Sequence, residues 1–314
     1  MLLSNLDIYN LKNYKYYSFD NSLFSLLIGD RLWNWLVTLI PNFISANFLT
    51  YMSLISILTG FTCVYYKITY APFIHVCCVI LYMNLDSIDG KYARKTNTSS
   101  IFGELLDHVI DSINLTLLCI SFSLIHNIYD YNIIYLITTS CQLFFLSEHI
   151  KSLQTGVLKM GIIGPTEGLI IYCLGITVNL HFILHSTLFL YTSYTLCIIS
   201  ILNYIMCVIR VNNSYRVDGY HKISYYIIGF MTTIYIVYTV LYYSINIEDI
   251  ISHNLSLSCL VSEVIVSKMT KRDLKYYIYI LIIAPYYSSN ISILFSLIYF
   301  TFIRSEFHPD VIQI

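Results

Sequence analysis

Apolar runs of twenty or so residues recur along nearly the whole chain, and they constrain its fold more than any other feature. A helix needs roughly 20 consecutive apolar residues to cross a bilayer. Runs near 47–67, 71–94, 100–126, 132–153, 165–179, 181–210, 222–246, 251–268, 275–288 and 290–304 meet or approach that length. The last two are short and can be read as one broken hairpin. Charged residues make up only 11% of the 314 and hydrophobic residues 57%, whereas a soluble domain carries about 25% charged residues. That balance excludes an ordinary soluble domain, and it also excludes a disordered chain, which needs high charge and low hydrophobicity. The expected fold is all-α, a polytopic integral-membrane helical bundle of about 8–10 transmembrane helices.

The connections between runs are brief, so one membrane domain is expected over 47–304. An N-terminal amphipathic, interfacial segment precedes it (1–46), and a short tail follows (305–314). Within the first segment Asn21 to Pro41 reads as amphipathic, with Trp33 and Trp35 suited to a membrane interface. The first ten residues have no basic stretch leading into an apolar one, so no cleavable signal peptide is expected. No internal repeat is visible, which weighs against transporters built from inverted repeats. Nine cysteines lie scattered in apolar runs without metal-ligand spacing and read as reduced, small hydrophobes. A net charge of −1 gives no reason to expect a nucleic-acid partner. Basic residues fall in four groups: Lys12, Lys15 and Arg31; Lys91, Arg94 and Lys95; Arg210 and Arg216; Lys268, Lys271, Arg272 and Lys275. Counting spans puts all four on one side of the membrane, the cytosolic side.

In so apolar a chain the remaining carboxylates are informative, because an ionisable group in a membrane is costly and usually functional. Asp86 and Asp89 are spaced i, i+3 near the end of the second run and share a helix face. Gly90 and Ala93 lie on that side and leave room beside the carboxylates. Gly103, Asp107 and Asp111, at i, i+4 and i+8 in the third run, fall within an arc of about 80°. Two helices joined by a short turn can present all four carboxylates to one another. Such a cluster repels itself at low dielectric and calls for cations between its members. Hard oxygen ligands suit Mg²⁺, Mn²⁺ or Ca²⁺. Four carboxylates suffice for two ions, and paired ions suit phosphoryl displacement. Lys91, Arg94 and Lys95 can meet phosphate oxygens. Two other readings compete: acids merely solvated at the membrane surface, and the ion site of a divalent-cation transporter. Against the transporter, fixed cations beside the acids would repel a passing ion but welcome a pyrophosphate.

The spacing Asp86, Asp89, Gly90, Ala93, Arg94, Gly103, Asp107, Asp111 resembles, position by position, the signature D-x2-D-G-x2-A-R-x8-G-x3-D-x3-D of the CDP-alcohol phosphatidyltransferases. The surrounding text, IDGKYARKTNTSSIFGELLDH, looks like the eukaryotic choline/ethanolamine phosphotransferase branch. Pro41 to Thr50 (PNFISANFLT), Gly164 to Gly168 (GPTEG) and Val266 to Lys271 (VSKMTK) are similar to further segments of that branch. A W-E-x-Y-H-T pattern usual before GPTEG is eroded here to Ile150, Lys151, Ser152, Leu153, Gln154 and Thr155.

The resemblance implies transfer of phosphoethanolamine or phosphocholine from CDP-ethanolamine or CDP-choline to the sn-3 hydroxyl of diacylglycerol, releasing CMP. Inositol or glycerol phosphate as the alcohol is the sibling alternative. It implies Asp86, Asp89, Asp107 and Asp111 as ligands of two Mg²⁺ or Mn²⁺ ions. Gly90, Ala93 and Gly103 would allow close approach of the nucleotide, Lys91 and Arg94 would contact phosphate, and Asn47 would touch the nucleotide. His108 is the implied general base, oriented by Glu167, with Asp111 the competing base. Glu104, Glu148 and His149 read as structural. The branch also implies an endoplasmic-reticulum membrane, a site facing the cytosol, and homodimers as a common state.

Overall fold

In the computed structural model, residues 3–178, 187–214, 232–234, 236, 239, 245–275 and 277–307 are described. Their secondary structure is overwhelmingly helical: α1 (Asn5–Lys12), α2 (Asp30–Leu39, entered through a π-helical turn at Ser25–Gly29), α3 (Ala46–Tyr65), α4 (Ala71–Lys95), α5 (Ile101–Ile125), α6 (Tyr131–Thr155), α7 (Pro165–Thr177), α8 (Thr187–Ser214), α9 (Ile247–Thr270), α10 (Tyr277–Tyr287) and α11 (Ser289–Glu306). Two three-residue strands, Ser18–Asp20 and Leu158–Met160, are the only strands among the described residues.

The all-α membrane architecture is as expected. Six helices among the described residues are long and apolar enough to cross a bilayer: α3, α4, α5, α6, α9, and Phe189–Arg210 of α8. The run at 165–179 forms a helix of only 13 residues, about 20 Å at 1.5 Å per residue and short of a full span. The run at 275–288 yields 11 helical residues and that at 290–304 becomes an 18-residue helix, broken from its neighbour at Ser288 as a hairpin. The expected span at 222–246 lies largely outside the described residues. All nine cysteines are free thiols.

Helix starts follow the local chemistry. Ser45 accepts a hydrogen bond from the backbone N–H of Phe48, and Ser100 from that of Gly103 (3.0 Å). Each hydroxyl satisfies one of the donors a helix N-terminus leaves open. Between α4 and α5 only residues 96–100 intervene, with Asn97 in the left-handed region at φ 56°. That tight reversal brings the C-terminal end of α4 beside the N-terminal end of α5.

The chain divides into two compact units. The first comprises Met1–Tyr17, Asp130–Leu158 and Leu190–Ile314, and the second Ser18–Tyr129 and Lys159–Phe189. In the first, α9 is the central helix, with α6, α10, α11 and α1 packed around it. Its polar anchor is Glu263, fully buried, whose carboxylate accepts from Arg272 Nη2 (3.1 Å), the Lys275 N–H (3.1 Å), Tyr277 OH (2.8 Å) and Tyr299 OH (3.2 Å). Burial opposes the Arg272 charge, but Glu263, with Tyr277 and Asp7, outweighs it and lifts the guanidinium pKa above its ordinary value.

In the second unit α3 packs against both α4 and α5. Close approach is set by Gly60, where an added Cβ would stand 2.7 Å from His75 Nδ1 and 3.1 Å from Cys78 Cβ. Small residues at such crossings let helix backbones meet. Gly60→Ala is therefore expected to cost about 1–3 kcal/mol, the range of overpacking substitutions, seen as a lower detergent melting temperature. His75 Nε2 meets Tyr172 OH at 2.7 Å, and that hydroxyl donates to the Leu118 carbonyl (3.0 Å), which ties α7 to α4 and α5. In α2 the two tryptophans part company. Trp33 is 3% exposed and packs with Val37, Leu49, Ile88 and Tyr92, while Trp35 is 58% exposed. Two residues apart on a helix they point to opposite sides, so only Trp35 is free for an interfacial role.

Candidate active site and metal centre

The four aspartates of the sequence reading converge in the second unit, on the facing ends of α4 and α5. The Asp86 carboxyl lies within hydrogen-bond range of both Asp107 and Asp111, and Asp89 lies close enough to Asp111 and Asp107 to act on both electrostatically. Ligand atoms of Asp107, His108 and Asp111 all fall within 4.8 Å of one another. Asp89 is buried, and Asp86, Asp107 and Asp111 are half-buried.

The donor set fits a divalent cation. Carboxylate oxygens this close repel unless a cation or protons intervene. Asp107 Oδ1 is buried with no hydrogen-bond partner among the described residues, and leaving an acceptor so placed is costly unless something positive meets it. All-oxygen donors, with one imidazole beside them, suit Mg²⁺ or Mn²⁺.

Asn47, Gly90, Lys91, Ala93, Arg94 and Gly103 lie on α3, α4 and α5, the helices that carry the acids or pack against them. The helix reversal that joins α4 to α5 puts Gly103 against Asn47 of α3. A Cβ on Gly103 would sit 3.1 Å from Asn47 Oδ1, so the missing side chain admits that amide to the site. Gly90 leaves open space, its nearest neighbour being the Arg94 guanidinium at 3.4 Å from an added Cβ. Arg94 is exposed and acts electrostatically on Asp89. Ala93 packs against the Trp33 cluster instead of lining open space. Lys91 is engaged by α2: its Nζ donates to Asp30 Oδ1 at 2.6 Å and lies 5.9 Å from the Trp33 ring centroid. Among the described residues Arg94 is an exposed cation beside the acids, while Lys91 fastens α2 to α4.

His108 is buried, with Nδ1 4.0 Å from Asp107 Oδ2. Glu167 departs from the expectation that it orients this ring. Its Oε1 accepts from the Phe24 N–H (2.6 Å) and its Oε2 from the Gly164 N–H (2.8 Å). The second bond is the return half of a helix N-terminal capping arrangement. The first pins the segment before α2, so Glu167 acts as a clamp between the two. The carboxylate next to the His108 ring is that of Asp107, at 4.0 Å from Nδ1.

Two residues went unrecognised in the sequence. Thr50 Oγ1 donates to Asp89 Oδ2 at 2.6 Å, and Tyr82 OH donates to Asp111 Oδ1 at 2.8 Å. Helical spacing carries a faint signal for both: Thr50 is three residues beyond Asn47 on α3, and Tyr82 four before Asp86 on α4.

Comparison with known proteins gives the family. The profile of the CDP-alcohol phosphatidyltransferase family matches residues 43–199, half of the chain. Among relatives, cholinephosphotransferase 1 of Danio rerio is 32% identical over 174 residues, covering 52% of this chain and 45% of that protein. Choline/ethanolaminephosphotransferase 1 of Saccharomyces cerevisiae is 32% identical over 181 residues, covering 54% of this chain and 46% of that protein. An uncharacterized CDP-alcohol phosphatidyltransferase class-I family protein of Dictyostelium discoideum is 32% identical over 166 residues, 50% of this chain and 44% of that protein. The matches thus span just under half the length of these relatives. Fold and site together define a polytopic helical membrane protein with an acidic, metal-competent centre at the ends of two neighbouring helices. The chain belongs to the CDP-alcohol phosphatidyltransferase family.

Proposed function

We propose that this protein transfers phosphoethanolamine or phosphocholine from a CDP-alcohol to the sn-3 hydroxyl of diacylglycerol and releases CMP. The observation that carries the reading is the meeting of Asp86, Asp89, Asp107 and Asp111 at the ends of α4 and α5, in a chain whose relatives include cholinephosphotransferases. Asp86, Asp89, Asp107 and Asp111 would hold two Mg²⁺ or Mn²⁺ ions, which would neutralise the donor's pyrophosphate and steady the departing CMP. Arg94 binds a phosphate oxygen from the open side of Gly90, and Asn47 meets the nucleotide at the Gly103 gap.

The acceptor hydroxyl gives its proton to His108. Asp107 stands beside the ring that takes it, with Oδ2 4.0 Å from Nδ1. The freed oxygen bonds to the β-phosphorus as the bond from that phosphorus to the CMP oxygen breaks. A positioned base contributes about 10²–10⁴-fold, so His108→Ala is expected to lower kcat by that range with the donor KM little changed. Asp111 as base instead would leave His108→Ala near wild-type activity.

Arg94→Ala is expected to raise the donor KM about ten- to a hundredfold, since a charged hydrogen bond contributes about 1.5–3 kcal/mol. Lys91→Ala should raise it less, because Lys91 is already spoken for by Asp30. Equal effects from the two would return Lys91 to the phosphates.

The membrane setting suits the reaction, with an apolar acceptor arriving laterally and a charged donor from water. The basic groups before α3 and after α4 share one side of the membrane and favour a site facing the cytosol, and an endoplasmic-reticulum membrane is the proposed location. The test is a membrane-fraction assay with labelled CDP-choline and CDP-ethanolamine, diacylglycerol and Mg²⁺, run beside inositol and glycerol phosphate as acceptors of a CDP-lipid. Labelled phospholipid from either CDP-alcohol supports the reading, and product only with inositol or glycerol phosphate replaces the alcohol.

A further inference from the structure

We propose that Thr50 and Tyr82 are positioning residues that hold Asp89 and Asp111 ready for metal. This inference rests on the metal reading of the carboxylates given above. The two bonds come from different helices. Thr50 of α3 reaches Asp89 of α4, and Tyr82 of α4 reaches Asp111 of α5. Together they cross-link the three helices that surround the site.

Each hydroxyl fixes one named oxygen of its carboxylate, Oδ2 of Asp89 and Oδ1 of Asp111, and an ion would take the place of the contact that Asp111 makes with Asp86. At 2.6 Å the Thr50 bond has the length of a hydroxyl donating to an ionised carboxylate. Thr50 Oγ1 also approaches the Ala46 carbonyl, but at 3.3 Å. A hydroxyl has one proton, and the shorter contact receives it. Both side chains are buried, so neither bond competes with bulk water. Asp107 contrasts with this pair, since its Oδ1 is buried without a partner. The site therefore combines two carboxylates fixed in advance with one that has an oxygen still to be satisfied. Groups that orient metal ligands in this way typically carry 10–100-fold of metal affinity.

Packing alone would make a different prediction. Thr50→Val and Tyr82→Phe keep nearly the same volume and remove only the hydroxyl, so a space-filling role survives both. The test is a Mn²⁺ titration of the purified full chain in detergent, followed by electron paramagnetic resonance of the free ion. Thr50→Val and Tyr82→Phe are expected to weaken Mn²⁺ binding about tenfold or more, while Thr50→Ser, which keeps the hydroxyl, binds close to wild type. Wild-type Mn²⁺ affinity in both Thr50→Val and Tyr82→Phe overturns the proposal, as does Thr50→Ser as weak as Thr50→Val. If one variant aggregates, the other decides. Asp107→Ala separates this inference from the reading beneath it. Loss of Mn²⁺ in Asp107→Ala with full binding in Thr50→Val and Tyr82→Phe sinks the positioning role alone. Unchanged binding in Asp107→Ala sinks both.

Discussion

Asp107→Ala is expected to reduce phospholipid formation by about a thousandfold or more while leaving the protein folded. Metal stabilisation of a transferring phosphate is worth several kcal/mol, and each 1.36 kcal/mol is tenfold in rate. Asp107 is the member of the cluster with most to lose. Its Oδ1 is buried and unpaired, it lies within hydrogen-bond range of Asp86, and it shares a ligand-sized space with His108 and Asp111. Removing it would withdraw a proposed metal ligand and the neighbour of the His108 ring in one step. It also relieves carboxylate repulsion, so in metal-free buffer the variant should melt no lower than wild type. Saturating Mg²⁺ should stabilise wild type and not the variant, because binding to the folded state alone raises stability by mass action. Full activity in Asp107→Ala would remove the cluster from the chemistry.

Arg272→Ala is expected to be the most damaging single change to stability, at about 3–5 kcal/mol, the cost of removing one partner from a buried ion pair. Glu263 is 0% exposed and sits in the middle of α9, the central helix of its unit. Without the guanidinium its charge would rest on two tyrosine hydroxyls and one backbone N–H. At roughly 2–4 °C per kcal/mol for a unit of this size, the melting temperature should fall by about 10 °C. The double variant Arg272→Ala with Glu263→Leu should recover much of the loss, since replacing a buried pair by an apolar group is often neutral. By contrast Lys151→Ala, which breaks the exposed pair with Glu148 (2.6 Å), should change stability by no more than about 1 kcal/mol. An Arg272→Ala protein as stable as Lys151→Ala would contradict the account of Glu263 as an anchor.

What the sequence discloses and what it hides follow from locality. Length and hydropathy act within a single helix, so α3, α4, α5, α6 and α9 were legible as long apolar runs. The four aspartates were legible because their spacing is also local to two adjoining helices. What hydropathy could not say is where an apolar run stops being helical. The run at 165–179 therefore gave the 13-residue α7 instead of a span. Nor could it say which partner a polar side chain finds across the fold. Glu167 meets Phe24, Lys91 meets Asp30, and Glu263 meets Tyr299, pairs separated by 143, 61 and 36 residues. Thr50 and Tyr82 escaped notice for the same reason, because their meaning lies in which carboxylate they face. Trp33 and Trp35 show the converse: their opposite fates follow from helix geometry alone.

The fate of one phosphorus atom distinguishes the proposed transfer from its alternatives. Purified protein is given a CDP-alcohol labelled at its β-phosphorus, diacylglycerol and Mg²⁺, and the lipid and water-soluble products are separated. The account predicts label in extractable phospholipid with an equal amount of CMP in water, and neither product from Asp107→Ala. Label that stays in the nucleotide, or leaves as free phospho-alcohol with water as the acceptor, would contradict it.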